Sequence, residues 1–457
     1  GLPVDGLLVG TVEVRGPLSA LETSGDMRLT GNGRGAGSEI AWRGVLDVRN
    51  SSVSAHSFNA DVRNLELALV SAFAPELKLT GSVSGAVSGS GSRRRMDFTA
   101  LLEHASSDGG TSVFDAGGSV EGGGRSRRID LTVNASPVTF QDLAQQVPAL
   151  HGLQGELSGP VRIEGTVADF GFRADLATAG GPLALDGRVQ GMGASRRIAA
   201  TAEAHGFRLD AFRDELPPLT VSGTLTVDLT GHEFAGMTGP VRLVLDSTRL
   251  GELPYSTLLL GAHMDRGMLN VDSAFLRGPL GTGRAHGTIG LIDERQGSLV
   301  AGYTSESLTA LEPFLYRNRG PAADGEPRVA GRLETVATVT GWLRNLTVEA
   351  SSTGHDILLG PVSASRLHAE AGVTGIGTQN AGFRFVATAD SAVAFTHTFQ
   401  VGRLELAGTT DSMTVVTGAT SGGEDRLFAS GAVHRAAAAD ASVAMTARVD
   451  EMRLGGR

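Results

Sequence analysis

The chain has 457 residues, a formal net charge of −10, 41% hydrophobic and 19% charged residues, 64 Gly, 16 Pro and no Cys. Gly stands at about twice its usual share while Gly and Pro together stay below the level of a disordered low-complexity chain, which describes a folded, turn-rich protein. The absence of Cys excludes disulfides, thiolate metal sites and Cys nucleophiles, and an acidic balance with 17 Phe, 3 Tyr and 2 Trp lacks the footprint of a nucleic-acid binder.

The opening Gly1-Leu2-Pro3-Val4-Asp5 has neither an initiator Met nor a signal-peptide n-region, so the chain reads as an excised segment. No apolar stretch approaches the roughly 18 residues of a transmembrane helix. From Thr11 onward a period of two dominates. Val12 and Val14 alternate with polar neighbours, as do Ile129, Leu131 and Val133, then Val161 and Ile163, then Leu225, Val227 and Leu229, then Val241, Leu243 and Leu245, and near the end Val443, Met445 and Val449. Each run places its apolar side chains on one face of a strand and leaves the other face wetted, as in antiparallel sheets. Turn signals such as Asp265-Arg266-Gly267 recur at hairpin spacing, and the long helices of a parallel βαβ sheet are missing. The sequence therefore predicts an all-β fold with a few short helices.

Four segments break the alternation: Asn64 to Phe73, Thr139 to Val147, Phe207 to Leu216 and Ser305 to Tyr316. Each has apolar residues at helical spacing, an N-cap candidate, Asn64, Thr139 or Ser307, opens three of them, and the first three stop at Pro75, Pro148 and Pro217-Pro218. After each stop an apolar residue and a marker glycine lead into a new strand, at Gly81, Gly155, Gly223 and Gly331, with an earlier copy at Gly10. The spacing predicts one array over residues 1–457 with a repeat of about 70 residues. Copies begin near residues 8, 79, 153, 221 and 329, and 317–328 reads as a loop insertion. A repeat of that size is expected to hold one helix and about five strands of ordinary length. Five is odd, so the helix would have to carry the chain back across the sheet.

Repeats that alternate Leu-x-Gly-x-Val-x-Val-x-Gly-Pro-Leu with short helices resemble the AsmA-like superfamily of Gram-negative envelope proteins, most of all its TamB branch. The likeness is carried by Leu8 to Leu18, by Gly155 to Gly165, and by Met268-Leu269-Asn270-Val271 running into Leu276 to Leu280. The resemblance implies an elongated, curled antiparallel β-sheet groove in the periplasm, apolar within and polar outside. It also implies that such a groove bridges inner and outer membranes and conducts phospholipids, with the anchors and any BamA-type outer-membrane barrel partner met by regions outside this segment. On that reading Val12, Val14, Ile129, Leu131, Val133, Val161, Ile163, Phe170, Phe172, Leu225, Val227, Leu229, Val241, Leu243, Leu245, Leu269 and Val271 line the groove.

An apolar sheet face must be covered by a second sheet, by curling on itself or by an apolar ligand. The alternative to a lipid bridge is accordingly a structural or adhesive β-solenoid, like an autotransporter passenger, with a filled core. No site for chemistry competes with these readings. The 11 His include no HExxH pair, no Gly-x-Ser-x-Gly elbow occurs, and Lys78 is the only lysine, so no Gly-Lys P-loop exists. Gly31 to Ala36 fits a loose dinucleotide fingerprint but has no helix after it and reads as a hairpin loop. The chain is expected to be neither an enzyme nor a cofactor or metal binder. Three glycine-led turns end in arginines, and Arg94, Arg95, Arg127, Arg128, Arg196 and Arg197 are candidate headgroup contacts because guanidinium forks suit phosphate oxygens. The same arginines also suit solubility and protection of strand ends.

Overall fold

Alternation of period two becomes extended backbone along the whole computed structural model. It describes residues 6–449 except 32–36, 50–52, 68–79, 93, 107–109, 123–126, 142–151, 167, 192–194, 213–217, 251–252, 256, 313–327, 379–380, 395–396, 410–411, 422–423 and 435–441. The fold is all-β and antiparallel, with only short helical turns among the described residues. The chain divides into two compact units, Gly1–Thr226 and Val227–Arg457.

In the first unit twelve strands follow one another as neighbours. They are β1 (Gly6–Arg15), β2 (Leu21–Gly31), β3 (Ser38–Asp47), β4 (Ser54–Glu66), β5 (Ser82–Ser92), β6 (Arg95–Ala105), β7 (Thr111–Glu121), β8 (Arg128–Thr139), β9 (Glu156–Thr166), β10 (Asp169–Thr178), β11 (Gly181–Gln190) and β12 (Arg197–Arg208). Each pairs antiparallel with the next. Among the described residues β1 has β2 as its one partner strand, so this meander is not closed into a barrel.

The repeat holds four strands and not the expected five. Its strands run 10 to 13 residues, as in β1 and β4, about twice the usual length, so fewer of them fit between marker glycines. Four is even. Each copy therefore ends on the rim where it began, and no helix has to cross the sheet. The joins after β4, β8 and β12 all fall on one rim, and the glycine-led arginine turns after β5, β7 and β11 all fall on the other.

The predicted helices are present only as beginnings. Asn64 does not cap a helix. It bends the end of β4 with φ +50°, its N–H donating to Ser84 Oγ at 2.9 Å and its carbonyl accepting from Ser38 Oγ at 3.1 Å. Leu67 is the first helical residue, and 68–73 lie outside the described residues. Thr139 ends β8, Phe140 and Gln141 are helical, and 142–147 are likewise not described. Phe207 and Arg208 still belong to β12; a 3-10 turn follows at Leu209–Phe212. A further 3-10 turn, Leu308–Leu311, is capped by Ser307, whose hydroxyl accepts from Thr309 N–H at 3.4 Å. The expected insertion at 317–328 lies, but for Arg328, outside the described residues.

Strand β13 (Leu219–Thr230) spans the division between the units. The second unit continues with β14 (Thr238–Leu250), the three-residue β15 (Leu253–Tyr255), β16 (Thr257–Asp265), β17 (Met268–Gly278), β18 (Gly281–Gly290), β19 (Gly297–Ser305), β20 (Val329–Trp342), β21 (Asn345–Leu359), β22 (Val362–Ile376), β23 (Gly382–Ala394), β24 (His397–Thr409), β25 (Ser412–Ser421), β26 (Glu424–His434) and β27 (Ser442–Val449). Apart from β15, which folds back on β14 while β14 pairs β16, consecutive strands pair antiparallel.

Burial is thin. Among the described residues the buried apolar ones are scattered, and ten of the twenty-four are alanines, such as Ala60, Ala135, Ala174, Ala262, Ala369 and Ala387. A denser knot forms where Leu308, Val329 and Ile357 meet, with Leu311, Leu333 and Leu367 packed around them. The chain exposes 27724 Å², whereas two compact monomers sharing its 47.1 kDa would expose about 20,000 Å². Its surface is thus larger than that of compact domains of the same mass.

Candidate functional site

Residues directly opposite each other on antiparallel neighbours project to the same side, so the register carries one face from strand to strand. In the first unit one row runs Val12, Gly25, Trp42, Ala60, Val87, Ala100, Ala116, Val133, Val161, Ala174, Leu185, Ala202, with no polar residue in it. Val14 lies two residues from Val12 on the same side. Ile129 faces Gly165, Leu131 faces Ile163, and Ile163 and Gly165 face Phe172 and Phe170. Of the ten first-unit residues expected to line the apolar wall, the nine on β1, β8, β9 and β10 thus share one face. Those on β1 are the most open, Val12 being 52% and Val14 53% exposed.

The second unit repeats the pattern. Leu243, Leu260, Ala274, Ala285, Ala301, Ala337, Ala350, Ala371, Phe385, Leu406 and Val415 form one cross-strand row. Val241 and Leu245 flank Leu243 on the same side, while Leu269 and Val271 join through Met264 and Ala262 despite a bulge in β17. Leu225, Val227 and Leu229 alternate along β13. A Cβ on Gly239 would lie 3.2 Å from Leu229 Cα, which sets Leu229 beside Gly239 on that face. Of the three, Leu229 is buried and Leu225 is 39% exposed.

The opposite face is a lattice of ion pairs. On β8 and β9, Arg128 reaches Glu164 at 2.8 Å and Arg162 reaches Asp130 at 3.4 Å and Glu164 at 3.6 Å. On β10 and β11, Arg173 pairs with Asp186 at 3.0 Å, and Arg188 with Asp169 at 2.6 Å. All are solvent-exposed, so each contributes little stability, but together they fix this side as the wetted one. Shallow depressions lie on this side too, lined in part by Glu13, Ser24, Arg43 and Asn59 in the first unit and by Glu349, Ser351, Glu370 and Arg384 in the second.

The six candidate headgroup arginines separate into two groups. Arg95 is held by Asp97 at 2.9 Å and by Glu121, and Arg128 by Glu164. Arg197 stands on the polar face opposite Gln190. Arg94 and Arg127 are exposed in their turns, and Arg196 is half-buried in its own. These three share the rim opposite the joins that follow β4, β8 and β12.

Two features lay beyond the reach of sequence reasoning. The ring of Phe212, buried to 5% exposure, stacks on Phe207 and meets Phe140 edge-on, each at 5.3 Å between centroids. This knot ties together joins that are some 70 residues apart in sequence. The second feature is a set of carboxyls held below their usual range. Hydrogen bonds from the Arg49 guanidinium and backbone N–H draw the Asp47 carboxyl from 3.8 down to about 2. Arg188 lowers Asp169, and Arg208 lowers Asp210, in the same way. A carboxyl whose folded value lies below its unfolded one contributes stability above the unfolded value and loses it as pH falls through the folded one. Because these pairs are solvent-exposed each contributes little, so the melting temperature of the first unit, which carries all three, is expected to fall only slightly as pH drops from 3.8 towards about 2. Arg49→Gln should remove part of that small dependence; an unchanged pH profile of the melting temperature would show that the pair plays no part.

Among the described residues no three His, Asp or Glu side chains are grouped to hold a metal ion, and no helix is long and apolar enough to cross a membrane. Comparison with protein-family models, with curated proteins and with solved structures found no match to this chain.

Proposed function

We propose that this chain is a segment of a periplasmic bridge that shields phospholipid acyl chains and conducts them between inner and outer membranes. The observation that carries this reading is the pair of unbroken apolar cross-strand rows, one in each unit, half-buried over most of their length. Burying acyl chains on such a face contributes about 0.8 kcal/mol per CH₂. Loss of a two-chain lipid to water is therefore slow, while movement from one Val/Ala/Leu position to the next exchanges like for like. The long run of small aliphatic side chains suits passage better than a pocket shaped for one molecule. A BamA-type barrel and the two membranes are the partners this reading implies, outside the segment itself.

Native mass spectrometry of the purified 457-residue chain tests the reading, with retained phospholipid as the expected result. A chain that leaves both membrane extracts and defined vesicles free of lipid overturns it and returns the structural β-solenoid with a filled core. The same measurement tests the arginine rim. Replacing Arg94, Arg127 and Arg196 together with Ser should leave total bound lipid within about twofold of wild type but reduce the preference for phosphatidylglycerol over phosphatidylethanolamine about three- to tenfold, the range of a few surface charge contacts. An unchanged preference would assign these arginines to solubility alone.

A further inference from the structure

The apolar face has two kinds of residue that ought to spoil a smooth wall, bulky aromatics and bare glycines, and the register places them opposite one another. Trp42 faces Gly25, Phe58 faces Gly44, Phe172 faces Gly187 and Tyr303 faces Gly283. In each pair the ring occupies the space where the glycine lacks a side chain. A Cβ on Gly25 would lie 2.6 Å from the Trp42 benzo edge, and one on Gly187 2.5 Å from Phe172 Cζ. The corresponding distances are 3.0 Å from Gly44 to Phe58 and 3.2 Å from Gly283 to Tyr303. None of the four glycines has a left-handed φ, so backbone conformation does not require glycine there. At Gly283 what requires it is the ring, a known use of glycine where another group approaches the strand closely; at Gly25, Gly44 and Gly187 the ring shares that role with a backbone carbonyl of the neighbouring strand, Thr11 O at 2.6 Å, Ser57 O at 2.7 Å and Ala199 O at 2.8 Å. Trp42 is pinned in this attitude from the other side, its indole N–H donating to Thr23 Oγ1 at 3.4 Å on the strand it covers.

We infer that these four glycine–aromatic pairs level the apolar face where they stand, laying four of its largest side chains down along the sheet and out of the path of an acyl chain. The inference rests on the lipid-conducting reading and adds to it a set of positioning residues, the glycines, which act through the rings they accommodate. It also narrows the ligand class. A wall without projections favours straight, interchangeable acyl chains in file over a rigid polycyclic lipid, which would need a shaped recess.

Gly283 offers the cleanest test. Its added Cβ would have the Tyr303 ring as its one tight neighbour, the nearest backbone atom, Gly302 O, being 3.6 Å away. Gly283→Val should lift that ring off the sheet without distorting the strand. Gly302→Val is the control, because Gly302 lies on the polar face with nothing within 4 Å of its Cβ position. The measurement is transfer of a fluorescent phospholipid between phosphatidylethanolamine/phosphatidylglycerol vesicles by the full chain, with thermal melting as a check on folding.

Gly283→Val is expected to slow transfer about fivefold, equivalent to the low end of an overpacking penalty, while Gly302→Val stays within about twofold. The double variant Gly283→Val/Tyr303→Leu should recover the wild-type rate even though it melts earlier. A purely structural role for the pair demands the reverse, with the double variant worse in both respects. If the wild-type chain moves lipid and Gly283→Val matches Gly302→Val, or if removing the ring fails to restore transfer, the levelling inference is overturned alone. A wild-type chain that moves no lipid overturns the functional reading and this inference with it.

Discussion

Val227→Asp combined with Leu243→Asp is expected to reduce phospholipid transfer by about a hundredfold, since a carboxylate at hydrocarbon depth costs about 2.5–3.5 kcal/mol. Both side chains belong to the apolar face, Val227 half-buried on β13 and Leu243 half-buried on β14 opposite Leu260. Two carboxylates on adjacent strands put charge in the way of an acyl chain crossing that layer. A bridge works in series, so one blocked layer stops the whole flux however good the remaining layers are. Arg242→Asp is the outward control, because Arg242 is exposed on the polar face one residue away. The control also reverses a charge, yet it should transfer lipid at close to the wild-type rate. A structural solenoid would respond differently, losing some stability in the first case and nothing measurable in the second. The reading fails if the doubly charged variant, shown to be folded by circular dichroism, moves or retains lipid as well as Arg242→Asp does.

The second large effect concerns stability. Phe212→Ala should cost the first unit about 3–5 kcal/mol, the usual result of emptying a buried aromatic site. In a unit of this size that corresponds to a melting point lower by about 10 °C. The ring is held between Phe207 and Phe140, and Gly180 passes so close that a Cβ there would lie 2.5 Å from it. Its backbone carbonyl accepts from Gln154 N–H at 2.9 Å. The substitution therefore loosens the joins after β8, β10 and β12 together, all on one rim. Phe234→Ala is the comparison, since Phe234 is 44% exposed and its removal should change stability by less than about 0.5 kcal/mol. Differential scanning calorimetry should show the first unit's transition lowered in Phe212→Ala and the second unit's unmoved. Equal melting of the two variants would mean that the aromatic knot contributes nothing to the rim.

The apolar face was readable residue by residue. Ile129, Leu131 and Val133 alternate with Arg128, Asp130 and Thr132 in the sequence, and nothing in the register moves them to the other side. Strand number was not readable in the same way. The text marks where a copy starts, but the length of a strand depends on how far its neighbour continues to offer hydrogen bonds, and neighbours here pair over ten or more residues. Asn64 looked like a helix cap because Asn is a good one; in the fold the Ser84 side chain and a strand end claim it instead. Arg95 and Arg128 looked free in their turns, yet each begins a strand whose neighbour presents a carboxylate.

The sequence by itself determined that the protein is all-β, that each strand has one apolar and one wetted side, and that the pattern recurs in copies. Those properties follow from a local period of two, which any extended segment expresses whatever surrounds it. Only the tertiary structure decided that four strands make a first-unit copy, that arginine turns and aromatic joins take opposite rims, and which glycine lies under which ring. Each of these depends on register between strands, and a shift of one residue would have turned every side chain to the other face. Register is a relation between two segments, set by the matching of whole faces, and no single segment contains it.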